Sequence, residues 1–148
     1  MLTVLESLPD GFLHTPASEL HRLLPGPTLI HLPGRREQPL LVSVLLHGNE
    51  DTGVVALQRV LRSYADRQLP RAMSLLVGNV AAAREGLRRL DHQPDYNRVW
   101  PGTELHAAAP EHAAMSEVYR IMRARGVFAS IDIHNNTGIN PLYCVVNR

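Results

Sequence analysis

The chain has 148 residues, 45% of them hydrophobic and 20% charged, which suits one soluble domain with its own core. A formal net charge of +1 leaves no broad basic surface for nucleic acid or for a membrane. Cys144, the single cysteine, excludes an intrachain disulfide and a cysteine-based zinc site, and favours a reducing, cytoplasmic compartment. Neither a secretory leader nor an apolar run of membrane-spanning length is expected.

The first predicted elements lead up to a central strand. Residues 1–27 are expected to form a lead-in with one short helix, which has Thr15 as its N-cap, begins at Pro16 and ends before Pro25. A strand follows over 28–32. The next strand, 40–46, is a continuous apolar run, and such runs are typical of central strands covered on both faces.

The middle of the chain is predicted to continue with alternating helices and strands. A helix with a one-sided apolar stripe begins at Asp51 and ends before Pro70, and a strand occupies 73–77. A short alanine-rich helix over 81–87 then leads into a long irregular loop, 91–102. A loop of that length inside a compact domain indicates a functional segment.

The last third is predicted to hold one long helix and two strands. The helix covers 111–125 with Gly126 as its C-terminal cap, and the strands cover 127–133 and 142–146. This order of elements predicts a single α/β domain, 1–148, whose mixed, mostly parallel sheet carries helices on both faces.

Two of the predicted strands end in side chains that can bind a metal. The strand 40–46 runs into His47-Gly48-Asn49-Glu50, and the strand 127–133 runs into His134. Open α/β sheets place ligand sites at the carboxyl ends of their strands. Two imidazoles and one carboxylate, with a fourth position left for water, are the usual set at a catalytic zinc. We therefore predict one Zn²⁺ per chain, bound by His47, Glu50 and His134.

Simpler interpretations of these residues stay open. Both histidines are equally well explained as ordinary hydrogen-bonded loop residues. Asp132 precedes His134 by two residues and could orient its ring, or could simply form a hydrogen bond at a strand end. His92 and Asp95 form a further pair at metal-binding spacing, but the intervening proline places them in the loop, so we expect no metal there.

Four linked motifs resemble the succinylglutamate desuccinylase/aspartoacylase family of the zinc carboxypeptidase superfamily. They occur in the family's order over roughly residues 40–140, and four linked motifs are far more specific than one. The motifs are His47-Gly48-Asn49-Glu50, Gly78-Asn79 with the alanine-rich turn, Arg88 ahead of Asp95-Tyr96-Asn97-Arg98, and Asp132-Ile133-His134-Asn135-Asn136-Thr137.

The resemblance implies a phosphorylase/hydrolase-like fold and a role for each matching residue. His47, Glu50 and His134 would be the zinc ligands. Arg88, preferred over Arg89 by its spacing to Asp91, would polarise the scissile carbonyl and stabilise the oxyanion. Asn97 and Arg98 would hold the substrate carboxylate, which the planar guanidinium fork fits well. The alternative for the two neighbouring arginines is a solvated surface pair, and Trp100 either walls the pocket or anchors the loop.

One departure from the family concerns the general base. In the family this is a glutamate well downstream of the last zinc ligand, whereas here no glutamate follows Glu117, which precedes the His134 strand. We therefore expect either a C-terminally truncated catalytic domain or a binding-only remnant. Truncation would expose edge strands and favour homo-oligomers.

The expected function is a zinc-dependent hydrolase that cleaves the amide bond of an N-acyl amino acid or a similar small carboxylate. A zinc carboxypeptidase that acts on the C-terminus of a short peptide is the enzyme alternative, because both substrates present a carboxylate. The alternative outside enzymes is a metal- or carboxylate-binding module without turnover. A structural domain with incidental histidines fits the linked motifs least well.

Overall fold

A single mixed sheet organises the structure. The computed structural model describes residues 1–103, 107–135 and 144–145. The sheet has five strands in the order β1-β2-β4-β3-β5. The strands are β1 Thr3–Leu5, β2 Thr28–Leu32, β3 Leu40–Val44, β4 Met73–Val77 and β5 Ala129–Asp132. Only the β2–β4 pair is antiparallel among these strands, which confirms a mixed, mostly parallel sheet.

Helices cover both faces of the sheet, as predicted. The α-helices are α1 Thr52–Arg62, α2 Val80–Arg84 and α3 Pro110–Ala124. Two short 3₁₀ helices cover Ala17–Arg22 and Tyr96–Arg98. None of the helices in the described part of the chain is long and apolar enough to span a membrane.

The alternation of side chains along the strands divides the core into two clusters. On one face, Val42 and Val44 of β3 pack with Leu57 of α1. On the other face, Leu41 of β3 packs with Met115 of α3. Because successive strand residues point to opposite faces, a continuous apolar run such as 40–44 serves both clusters at once.

The lead-in contributes more to the fold than its sequence indicates. Residues 3–5 form the edge strand β1, parallel to β2. Phe12, Leu20 and Leu24 are buried in the core cluster that contains Leu57 of α1, called here the α1 cluster. Three residues are too few to show a strand period, so this strand was not predicted. The short helix expected from Pro16 is present only as the 3₁₀ helix Ala17–Arg22.

The central strand ends two residues earlier than predicted. Leu45 has a φ of +58°, a left-handed conformation that is uncommon for a residue other than glycine, and it turns the chain out of the sheet after Val44. The side chain of Leu45 is nevertheless fully buried. Its burial explains why an apolar run extends beyond the strand itself.

The long helix and the strand after it in the C-terminal third match their predictions. Gly126, with a φ of +62°, follows α3 where a cap glycine was expected. The strand β5 lies at the edge of the sheet, and all four of its residues are exposed. Self-association through this edge stays a prediction. The strand expected over 142–146 falls outside the described residues except for 144–145, which lie in no strand.

Candidate metal centre

The turn after β3 brings His47 and Glu50 against the segment that follows α2. A Cβ on Gly48 would lie 2.3 Å from the backbone nitrogen of Ala83, so only glycine fits this close approach. The Gly48 amide donates a hydrogen bond to the Arg88 carbonyl at 3.0 Å. The tight turn therefore places Arg88 beside the carboxylate of Glu50.

The parallel pairing of β3 and β5 brings the second histidine to the same place. Ser43 and Asp132 are register partners, and the amide of Ile133 donates to the carbonyl of Ser43 at 3.0 Å. Because both strands end at this edge of the sheet, the rings of His47 and His134 lie side by side with centroids 5.0 Å apart.

Glu50 lies between the two histidines. The Nδ1 atom of His47 is 2.8 Å from Oε1 of Glu50, and the Nδ1 atom of His134 is 2.8 Å from Oε2. One ligand atom from each of the three residues lies within 4.8 Å of the others, so the group could hold a metal ion. His47 and Glu50 are buried, with 2% and 8% of their surfaces exposed.

The other nitrogen of each ring contacts a carboxylate. The Nε2 of His47 is 3.0 Å from Oδ1 of Asp95, and the Nε2 of His134 is 2.6 Å from Oδ2 of Asp132. An Nε2–H that donates to a carboxylate leaves Nδ1 as the metal-binding nitrogen of the neutral ring. The donor set therefore fits a catalytic zinc of the two-histidine, one-carboxylate type.

Arg88 links the two carboxylates around His47. Its Nη1 donates to Oε1 of Glu50 at 3.2 Å, and its Nη2 donates to Oδ2 of Asp95 at 3.1 Å. Arg89 instead donates to the carbonyl of Gln93 at 3.0 Å. The structure thus places Arg88, rather than Arg89, at the centre, and about half of the Arg88 side chain stays open to solvent.

Asp95 and His134 have shifted pKa values for identifiable reasons. Burial alone would raise the pKa of Asp95, but hydrogen bonds from the Asn97 amide, His47 and Arg88 outweigh it and lower the pKa to about 2. The hydrogen bond to Asp132 raises the pKa of His134 to about 9 against the effect of burial, with help from the charges of Asp132 and Glu50. The raised pKa means that a proton competes with a metal ion for the His134 ring.

The loop 91–102 is anchored by its aromatic and apolar residues. Tyr96 and Val99 are buried in the core cluster that contains Met115 of α3, called here the α3 cluster. Trp100 packs against the same cluster, which favours a role for Trp100 as an anchor of the loop. Burial also raises the pKa of Tyr96. Asn79 caps α2 by accepting from the amide of Ala82 at 3.0 Å. Its Nδ2 donates to Gln93 at 2.8 Å and so ties the loop to α2.

Of the predicted substrate-binding pair, Asn97 contacts the centre and Arg98 contacts Asn97. The Nδ2 of Asn97 is 3.4 Å from the Nε2 of His134. Arg98 is exposed, and its guanidinium donates to the carbonyl of Asn97 at 3.3 Å. The motif residues Asn136 and Thr137 lie outside the described residues.

The contact between Asp95 and His47 is the feature that sequence reasoning missed. We expected the pair His92 and Asp95 not to bind a metal, and His92 is exposed. Asp95, however, begins the 3₁₀ helix, accepts from the Asn97 amide at 2.8 Å and reaches His47 with the same oxygen. An aspartate side chain often accepts from the backbone amide two residues later in such a local turn, but this tendency does not reveal the distant partner.

Comparisons with known proteins agree on one family. A profile of the succinylglutamate desuccinylase/aspartoacylase catalytic domain matches residues 37–140. The succinylglutamate desuccinylase of Burkholderia thailandensis is 38% identical over 111 residues, covering 68% of this chain and 31% of that protein. The enzyme of the same name from Burkholderia cenocepacia is 40% identical over 76 residues, covering 50% of this chain and 21% of that protein.

A solved structure gives the same answer for the fold. The crystal structure of the succinylglutamate desuccinylase from Chromobacterium violaceum matches with a TM-score of 0.52 and 29% identity, over 68% of this chain and 34% of that chain. The chain thus spans about a third of the length of this protein and of the Burkholderia thailandensis relative.

The family match includes every side chain of the candidate centre, since all of them fall within residues 37–140. It covers well over half of the chain, and it confirms the resemblance carried by the four sequence motifs. The chain belongs to the succinylglutamate desuccinylase/aspartoacylase family.

Proposed function

We propose that this chain provides the metal centre of a zinc-dependent hydrolase that cleaves the amide bond of an N-acyl amino acid. The support for the reaction comes from relatives named succinylglutamate desuccinylase. The chain spans about a third of the Burkholderia thailandensis relative, so its own residues support the metal centre more directly than the complete reaction.

The observation that carries the proposal is the convergence of two Nδ1 atoms on one carboxylate. Both atoms lie 2.8 Å from Glu50 oxygens, and both Nε2 atoms face carboxylates of their own. His47, Glu50 and His134 would hold the ion. Zinc, when bound there, would supply a Lewis acid that activates water and polarises a carbonyl group.

Arg88 is proposed to bind the carbonyl oxygen of the scissile amide. Its guanidinium lies 3.2 Å from Glu50 and is half exposed, so donors remain free to face a bound substrate. A fixed cation beside the reacting carbonyl stabilises the negative charge that develops on its oxygen. The ion pairs with Glu50 and Asp95 hold this cation in place before substrate arrives.

Asn97 and Arg98 are proposed to bind the carboxylate of the substrate. Asn97 lies 3.4 Å from His134, and Arg98 presents an exposed guanidinium in the same 3₁₀ helix. Such a fork binds a carboxylate through two parallel hydrogen bonds. A peptide C-terminus offers the same group, so a carboxypeptidase activity stays the enzyme alternative.

No general base is assigned among the described residues. Glu117 lies on α3, where it pairs with Arg120 at 2.6 Å on an exposed surface. Binding of metal and carboxylate without turnover is therefore the second candidate function, and it makes the same prediction for metal binding.

Metal content tests the proposal directly. We expect about one zinc per chain in protein purified without chelators, measured by mass spectrometry, and loss of that zinc in Glu50→Gln. Glu117→Gln, which changes an exposed carboxylate on α3, is the matched control and should keep the metal. A wild-type protein that is folded but binds no zinc at micromolar concentrations would contradict the metal centre.

Substrate class is tested by comparing N-acyl amino acids with short peptides. Hydrolysis of N-succinylated or N-acetylated amino acids, lost in Arg88→Gln with zinc still bound, would support the hydrolase. Cleavage of peptides alone would favour the carboxypeptidase. Zinc binding without hydrolysis of either class would leave the binding module.

A further inference from the structure

The metal centre includes a hydrogen bond from a buried serine. Ser43 lies on β3, four residues before His47, with 5% of its surface exposed. Its Oγ donates to Oδ1 of Asp132 at 2.7 Å. Since Ser43 and Asp132 are register partners in the sheet, this bond attaches the carboxylate to the backbone scaffold of the two parallel strands.

Asp132 uses both of its oxygens. While Oδ1 accepts from Ser43, Oδ2 lies 2.6 Å from the Nε2 of His134. The side chain of Asp132 is 42% exposed, so without the serine it would be free to adopt other rotamers in solvent. Two anchors on one carboxylate restrict it to the rotamer that faces the imidazole.

A second group competes for the same ring nitrogen. The Nδ2 of Asn97 lies 3.4 Å from the Nε2 of His134. An amide NH₂ can only donate, so this contact would require a lone pair on Nε2 and would leave the hydrogen of the neutral ring on Nδ1. That hydrogen would face Glu50, 2.8 Å away, and Nδ1 could not bind a metal.

We infer that Ser43 is a positioning residue for the metal centre: by holding Asp132 against Nε2 of His134, it selects the tautomer whose Nδ1 can bind the ion. The inference rests on the metal centre proposed above. It assigns Ser43 a role through Asp132, without contact to metal or substrate. Partners of this kind typically change metal affinity by about 10- to 100-fold when they are lost.

The test is the zinc affinity of Ser43→Ala, measured by competition with a chromophoric chelator. We expect about one zinc per chain as in the wild type, with an affinity lower by about 10-fold. Ser43→Thr keeps the hydroxyl and should restore the affinity. Ser74→Ala is the matched control, because Ser74 is also buried and hydrogen-bonded to another side chain, that of His31, but lies on β4 away from the centre.

A second measurement separates positioning from general structure. In the zinc-loaded wild type, the His134 Nε2–H held by Asp132 should give a slowly exchanging imidazole proton signal by NMR. The signal should be lost or broadened in Ser43→Ala and should persist in Ser74→Ala. If Ser43→Ala is too unstable to load, Ser43→Cys keeps nearly the same volume with a weak donor and should show the same losses.

The outcomes distinguish the metal centre itself from the role of Ser43 in it. A wild type that binds no zinc overturns the metal centre, whatever the serine does. If the wild type binds zinc, and if Ser43→Ala and Ser43→Cys keep the same zinc affinity and the same imidazole signal, only the role of Ser43 is overturned. Equal loss in Ser43→Ala and in Ser74→Ala would also overturn it, because the effect would then be one of stability.

Discussion

Two histidines in this protein are buried to the same degree and differ in their partners. His47, 2% exposed, lies at the carboxyl end of β3 with Glu50 on one nitrogen and Asp95 on the other. His31, 4% exposed, lies toward the other end of the sheet. Its Nδ1 is 2.8 Å from the hydroxyl of Ser74, and its Nε2 has no hydrogen-bond partner among the described residues. Burial alone therefore does not distinguish a metal-capable histidine from a structural one.

The charges around each end of the sheet decide the difference. At His31, burial lowers the pKa of the ring, and the positive charge of Arg125 lowers it further, while Glu6 opposes both. At His134, the hydrogen bond to Asp132 raises the pKa to about 9. Carboxylates make one end of the sheet favourable for a cation, whereas the other end disfavours even a proton.

The largest expected effects come from alanine substitutions of two glycines, Gly48 in the turn of the metal centre and Gly34 after β2. A Cβ on Gly48 would meet the backbone nitrogen of Ala83 at 2.3 Å, and a Cβ on Gly34 would meet the backbone carbon of Arg71 at 2.1 Å. We expect each alanine variant to lose stability, toward the upper end of about 1–3 kcal/mol, measured by urea unfolding. Only Gly48→Ala should also lower zinc affinity, because its turn holds Glu50 and Arg88 together.

Gly26→Ala is the control for both glycine variants. A Cβ at Gly26 would have no heavy atom within 4 Å, so this change should leave stability within about 0.5 kcal/mol of the wild type. Equal loss of zinc affinity in Gly34→Ala and Gly48→Ala, when both are compared under conditions where they are fully folded, would contradict the local role of the Gly48 turn.

Removing one carboxylate at the metal end should give the next largest effect. Asp95→Asn keeps the size of the side chain but removes the charge that faces His47 and Arg88. We expect zinc affinity to fall by about 10- to 100-fold with little change in the far-ultraviolet circular dichroism spectrum. His92→Ala changes an exposed residue of the same loop and should bind zinc like the wild type.

Much of this centre could be predicted from the sequence because it depends on local patterns. The apolar run before His47 and the strand before His134 locate both ligands at strand ends, and parallel pairing brings such ends together. The resemblance to a family supplied the proposed roles of Arg88, Asn97 and Arg98, which spacing alone would not have given.

The features that escaped prediction depend on the tertiary structure. Asp95 reaches His47 across 48 positions of sequence, and this contact requires the loop to be anchored by Tyr96 and Val99. The left-handed turn at Leu45 is disfavoured by local propensity and is maintained by burial of its side chain. Ser43 has no sequence signal, because a serine in an apolar strand is explained equally well by chance.

The smallest expected effect concerns pH at the His31 end. The pKa of His31 is lowered in the folded protein relative to 6.5, so the unfolded chain binds more protons as the solution becomes acidic. Stability from this residue is present above about pH 6.5 and is lost as the pH falls below it. We expect the urea midpoint of the metal-free protein to drop between pH 6.5 and pH 5, and His31→Gln to reduce part of that drop. Below pH 6.5 the raised pKa of His134 contributes a constant amount to stability.

Other titrating groups must be separated from this effect. Arg125 and Glu6 face His31, and Arg125 stays charged throughout this range. His14→Gln, at an exposed histidine, should leave the acid dependence unchanged. If His31→Gln also left it unchanged, protonation of His31 would not limit stability in acid. The contrast between the two ends of the sheet would then rest on their hydrogen-bond partners alone.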